Sequence, residues 1–329
     1  MVHKNIPIFV SHSGCPNDCI FCNQKKISGQ HQALDIEHCK KVIEDALECS
    51  GQHNTQIEIA FFGGSFTGIE KKRQIEYLGL AKNYLDTGGI CGIRISTRPD
   101  YIDKEILDLL LAYGVTAIEL GVQSTDDQVL ALNNRGMTFA DTENAVALIR
   151  TYNFALGLQM MTGMYGSDNQ KDIRTAVDIV GLKPDFVRIY PTVVIGETVL
   201  YDLYQSGAYK LQSLEETVAL CSEIYRIFIG KNIPVIRIGL MASEQINQDK
   251  VIGAYHPAFG ELIIGRYYYG KLEQLIADQK GETLIIKWKK EMFSKLAGNK
   301  KENINQLKAK YKFRNIKFRE SAELGVDVI

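Results

Sequence analysis

Six short apolar runs punctuate the first 190 residues of this 329-residue chain, at 6–10, 56–62, 90–96, 117–123, 154–162 and 184–190. Between them apolar residues recur at three- and four-residue intervals, as Val42, Ile43, Ala46 and Leu47 do within 34–49. Further stretches of helical spacing lie at 70–85, 103–111, from 126 onward, and at 141–152, 173–180 and 214–229. Asp103 is placed to cap the third of these helices. Strands that alternate with helices at this spacing form βαβ units and pair in parallel. The expected fold is therefore α/β. Six units are too few for the closed eight-stranded form, so the expectation is a partial (β/α)6 barrel of TIM type, open on one side. Residues 1–232 are expected to form the barrel, and 233–329 a smaller α+β C-terminal extension.

The chemically loaded residues follow the strands. The cysteine loop, Gly63-Gly64, Arg98, Gln123 and Tyr190 each lie at or just after a run. In α/β barrels the active site is built at those C-terminal strand ends. The densest stretch is Cys15, Cys19 and Cys22, spaced C-x3-C-x2-C, with Gly14 and Pro16 for tight turning. Such thiolates hold zinc or an iron–sulfur cluster. A structural zinc and an ordinary electron-transfer cluster each take four protein ligands. Three local cysteines leave one metal position open to something that is not protein. Zinc with His12 as fourth ligand is the alternative reading. Cys39, Cys49, Cys91 and Cys221 are scattered and are expected to be small buried hydrophobes.

Hydrophobic residues make up 45% and charged residues 23%, ordinary for a soluble globular chain. The net charge of −1 points to no partner. No basic-then-apolar leader and no apolar run near the roughly 18 residues of a membrane span is apparent. The chain reads as cytoplasmic, where thiols stay reduced and clustered cysteines signal metal or redox chemistry.

C-x3-C-x2-C with Phe21 before the last cysteine resembles the signature of radical S-adenosylmethionine (SAM) enzymes, whose core is a partial barrel. The resemblance implies that Cys15, Cys19 and Cys22 bind three irons of a [4Fe–4S] cluster and that SAM chelates the fourth. One electron from a donor of flavodoxin or ferredoxin type then cleaves SAM, and the 5′-deoxyadenosyl radical takes hydrogen from a substrate. By the same resemblance the Gly63-Gly64-Ser65 loop contacts the SAM amino group. Ser96-Thr97-Arg98-Pro99-Asp100 resembles the Glu-Thr-Arg-Pro-Asp stretch of the radical SAM subunit of Elongator, which modifies tRNA wobble uridines. Ser96 replaces the usual glutamate, and Arg98 enters the candidate SAM set. Gly121-Val122-Gln123-Ser124 and Arg135-Gly136 resemble elements of oxygen-independent coproporphyrinogen oxidases. There Gln123 would meet a ribose hydroxyl and Arg135 the methionyl carboxylate. Tyr190 and His256 are the candidate catalytic residues, with a structural role for His256 as the alternative. The resemblance is ordered over residues 6–240 and returns at 254–260. The chain is expected to end before the acetyltransferase domain of the Elongator subunit.

Residues 287–319 hold 12 Lys or Arg against Glu291 and Glu302. Lys310, Lys312 and Arg314 alternate with Tyr311 and Phe313, then Lys317 and Arg319 with Ile316 and Phe318. Period two puts charges on one strand face and rings on the other. That pattern reads as a phosphate-contacting surface for tRNA or as a solvated face. Three functions follow: a radical SAM enzyme on tRNA, the same chemistry on a small metabolite such as a tetrapyrrole, or a non-enzymatic zinc- or cluster-binding protein.

Overall fold

The computed structural model describes residues 2–10, 15, 19–23, 35–49, 55–240, 251–277, 279 and 281–329. His12, Gly14 and Pro16 lie outside them. Six strands appear where the apolar runs lie: β1 (Val2–Val10), β2 (Thr55–Gly63), β3 (Gly92–Thr97), β4 (Val115–Gln123), β5 (Ala155–Thr162) and β6 (Phe186–Pro191). The chain then adds β7 (Val193–Ile195) and β8 (Val235–Ile238). Strands β1 to β6 pair in sequence order, all parallel, and β8 joins the edge of β6 as a seventh strand. The curled sheet is a half-barrel with helices on its outer face. It therefore has one strand more than the six-unit expectation, and that strand lies beyond residue 232.

Period two explains both faces of this sheet. Ile59 and Phe61, Ile93 and Ile95, Ile118 and Leu120, Leu156 and Leu158, and Val187 and Ile189 are fully buried in one core with the helices. Each such side chain removed from water contributes roughly 1.5–3 kcal/mol. The alternate positions include the polar Glu58, Arg94, Ser96, Glu119, Gln159, Arg188 and Tyr190. Helix starts are fixed locally. Asp103 accepts from the Ile106 amide, as expected, and Ser213 forms a capping box with Glu216.

Strand β9 (Val251–Gly253) pairs with β7 as an antiparallel ribbon. Helix Phe259–Ile276 then leads into a three-stranded sheet of order β11-β10-β12, from β10 (Thr283–Trp288), β11 (Asn315–Glu320) and β12 (Gly325–Val328). This part has its own core of Leu272, Ile276, Leu284, Ile286, Leu296, Leu307 and Phe313.

The expected strand alternation holds only within β11. Lys310 and Tyr311 end the helix Glu302–Tyr311, and Lys312 turns the chain at φ 57°. Cys39 and Cys221 are buried as expected, and burial pushes their thiol pKa values up to about 11 and about 12. Cys49 and Cys91 are instead exposed, because each lies at the end of an element rather than within one.

Candidate functional site

The cysteine loop is gripped through its backbone. The Ile20 amide donates to Asn133 O at 3.3 Å, and the Leu200 amide donates to Ile20 O at 2.9 Å. Within the loop the Cys22 amide donates to Cys19 O at 2.9 Å. Ile20 and Phe21 anchor the loop in an apolar cluster with Val194, Leu200, Tyr165 and Tyr209. Cys15, Cys19 and Cys22 are half-buried and form no disulfide among the described residues.

Two arginines stand at this loop. Arg135 Nη1 donates to Cys19 Sγ at 3.3 Å, and its Nη2 donates to Gly121 O at 2.6 Å. Arg98 is buried and forked onto Asp100, both contacts being 2.8 Å, and its Nη2 also donates to the Arg135 carbonyl. Burial opposes the charge on Arg98. The hydrogen bond and charge of Asp100, with the nearby Cys19 and Cys15, outweigh it and hold the Arg98 pKa above its ordinary value.

The Gly-Gly loop is tied to the end of β3. Ser65 Oγ lies 2.8 Å from Thr97 Oγ1, Thr67 Oγ1 lies 2.5 Å from the same atom, and the Arg98 amide donates to Ser65 Oγ at 3.3 Å. Gly63 adopts φ 103° opposite Val10, a backbone that favours glycine. Ser65 thus holds the loop in shape, while Gly63 and Gly64 present backbone.

Strand β4 ends in an irregularity. Its register against β5 slips between Gly121 and Gln123, and Gln123 takes φ 68°. A bulge of this kind re-aims a side chain. Gln123 Oε1 is buried without a hydrogen-bond partner. A Cβ on Gly121 would lie 3.0 Å from Gln123 Nε2 and 3.7 Å from Arg135 Nη2, so glycine leaves room for both groups.

Below these groups runs an ion-pair ladder that the sequence motifs do not mark. Arg94 donates to Glu58 Oε2 at 2.9 and 2.6 Å and to Glu119 Oε1 at 3.1 Å. Arg188 Nη2 donates to Glu119 Oε1 at 2.8 Å, and Gln159 donates to Glu119 Oε2 at 2.9 Å. Arg188 Nε lies 2.6 Å from Glu119 Oε2 but is not aligned to donate, so that contact is purely ionic. Glu119 is wholly buried. Burial opposes the Arg188 charge, but Tyr190 and Glu119 keep its pKa above the ordinary value. The Tyr190 hydroxyl lies 3.5 Å from Arg188 Nη1. The signal was present: a lone charge in each of Gln56-Ile57-Glu58-Ile59, Ile93-Arg94-Ile95, Ile118-Glu119-Leu120 and Val187-Arg188-Ile189.

His256 is half-buried at the head of helix Phe259–Ile276. Its Nδ1 accepts from the Ala258 amide at 3.0 Å, which leaves the proton of the neutral ring on Nε2. A rim cleft of about 380 Å³ beside the cysteine loop is lined in part by Gly163, Tyr165, Ser167, Thr192 and Tyr209. Asp172 braces that rim, accepting from the Gly163 amide at 2.7 Å and from Ser167 Oγ at 2.5 Å. Burial raises its pKa to about 6 against these two bonds.

The donors fit the implied cofactors. Three soft thiols on a gripped loop suit iron–sulfur ligation. The unpartnered Gln123 Oε1 suits a polar ligand beside it. Among the described residues, no three His, Cys, Asp or Glu side chains are already drawn together as a metal cage.

Residues 9–178 match the Radical SAM superfamily, and 184–268 match the Radical_SAM C-terminal domain. The chain belongs to the radical SAM superfamily. It is an enzyme of a family that uses a [4Fe–4S] cluster and SAM. It is 31% identical over 202 residues to the tRNA uridine(34) acetyltransferase of Methanocaldococcus jannaschii, covering 54% of this chain and 37% of that protein. It is 36% identical over 136 residues to Elongator complex protein 3 of Homo sapiens, covering 40% of this chain and 25% of that one. It thus spans well under half the length of these relatives. Its fold is similar to that of Methanocaldococcus infernus Elp3 with an N-terminal deletion, with TM-score 0.66 and 23% identity over 84% of this chain and 64% of that one. Among the described residues, no helix is long and apolar enough to cross a membrane.

Proposed function

We propose that this chain cleaves SAM reductively at the mouth of the half-barrel and uses the product radical to modify tRNA. The observation that carries the reading is the convergence on one loop: Arg135 reaches Cys19 Sγ and the Gly121 carbonyl while Gln123 turns beside them. Cys15, Cys19 and Cys22 would hold the cluster, which would supply the electron for reductive cleavage of SAM and so the hydrogen-abstracting chemistry. An external donor of flavodoxin or ferredoxin class supplies that electron.

The chain's own residues hold and orient. Gly63 and Gly64 offer backbone to the SAM amino group, with Ser65 fixing the loop. Gln123 accepts from a ribose hydroxyl through its unpartnered Oε1. Arg135 faces the methionyl carboxylate, the charge-assisted contact that an arginine fork favours. Phe21 packs the loop and excludes water. Tyr190, held beside Arg188, and His256, whose Nδ1 is engaged by the Ala258 amide, are the proton donors toward substrate.

Similarity to tRNA-modifying relatives supports RNA as substrate. The basic extension supports it less evenly than its sequence implies. Lys310 pairs with Glu273 at 2.7 Å and Arg314 with Glu282 at 3.0 Å, so part of that charge is already neutralised. Lys312, Lys317 and Arg319 carry no ion pair among the described residues and are the stronger phosphate contacts. The test is 5′-deoxyadenosine release under dithionite with and without tRNA. Acceleration by tRNA supports the reading; a rate that responds to a metabolite such as a tetrapyrrole and not to tRNA overturns its RNA half.

A further inference from the structure

Arg98 holds its position by three contacts that have nothing to do with a ligand. Its fork is closed on Asp100, and its Nη2 bonds the carbonyl of Arg135, the residue whose guanidinium lies on Cys19 Sγ. It is 3% exposed, and its Nη1 is buried with no hydrogen-bond partner. A buried cation normally has all its donors engaged, because an unmade bond costs the group its solvation. Here one donor is left open on a cation close enough to interact electrostatically with Cys19 and Cys15.

We propose that Arg98 is a positioning residue that tunes the reduction potential of the cluster, by fixing Arg135 against Cys19 and by standing as a second buried positive charge beside the loop. The inference rests on the cluster assignment above. Reduction adds one electron, from dithionite through mediators, and makes the cluster more negative by one charge. A fixed positive charge nearby favours that product, and in a water-poor site the effect is weakly screened. Asp100 works in the opposite sense, because its carboxylate partly cancels the cation it holds. The ion pair is therefore a setting with two handles of opposite sign.

The test is a mediated redox titration of reconstituted protein, followed by the electron paramagnetic resonance signal of the reduced cluster. Arg98→Gln should retain iron and lower the reduced-to-oxidised ratio at fixed poise about tenfold, about 59 mV for a one-electron couple. Asp100→Asn should move the potential the other way. A purely structural pair would shift both variants in one direction or neither, and either result overturns the proposal. Should Arg98→Gln not hold a cluster, the direction of Asp100→Asn decides alone. A wild type without a one-electron wave overturns the cluster reading as well, so the two failures are told apart.

Discussion

Gln123 is the residue where local conformation and function are in tension. A non-glycine residue at φ 68° costs on the order of 1–3 kcal/mol, and its buried Oε1 finds no partner within the chain. Asparagine tolerates that backbone better but has a shorter reach. Gln123→Asn should leave the melting temperature unchanged or raised, while weakening SAM binding about tenfold, the scale of one lost hydrogen bond. Equilibrium dialysis with unaltered SAM affinity would take Gln123 out of the site. Asp172 gives a pH-dependent counterpart. Burial raises its pKa from 3.8 to about 6, so between these values the unfolded chain has released a proton that the native state still holds. Stability from this group is fully present below about pH 4 and falls as pH rises to about 6, by up to roughly 3 kcal/mol. Asp172→Asn should flatten that segment of a denaturation-versus-pH curve; an unaltered slope would show that Asp172 titrates normally. Neither residue's state was legible beforehand. The Gln123 motif marked a site, but the bulge arises from pairing with β5, and Asp172 sits in an ordinary helical stretch whose burial only tertiary packing creates.

At the level of elements, the six apolar runs were legible because buried Ile, Leu, Val and Phe recur at every second position of each strand. The seventh, β8, escaped notice because it has four residues, Val235-Ile236-Arg237-Ile238, with Ile236 exposed. The tail misled for a related reason. Lys310-Tyr311-Lys312-Phe313-Arg314 alternates over too few residues to distinguish a strand from a helix end, and the helix beginning at Glu302 runs through its first two positions. The ladder linking β2, β3, β4 and β6 is a property of the assembled sheet, since each strand contributes a single charge. Glu119→Gln should destabilise the fold by about 3–5 kcal/mol, because Arg94 and Arg188 would lose a shared buried counter-charge. Chemical denaturation showing a loss below about 1 kcal/mol would mean that water or rearrangement replaces it.

For the whole molecule, the proposed function assigns the chemistry to the half-barrel and substrate contact to the extension. If Lys312, Lys317 and Arg319 contact phosphates, reversing all three to glutamate should reduce the slope of log affinity against log salt by about 2–3, while leaving SAM cleavage without RNA intact. Equal salt slopes for the two proteins would move RNA binding elsewhere on the surface. The central claim is narrower: the cysteine loop and the polar groups at the barrel mouth form one SAM-cleaving site. The most direct measurement is 5′-deoxyadenosine release by anaerobically reconstituted protein given SAM and dithionite, beside Cys19→Ala and Cys221→Ala. The expected result is about four irons per chain, steady release by the wild type and Cys221→Ala, and none from Cys19→Ala. Stoichiometric zinc without sulfide, or release that survives Cys19→Ala, would contradict it.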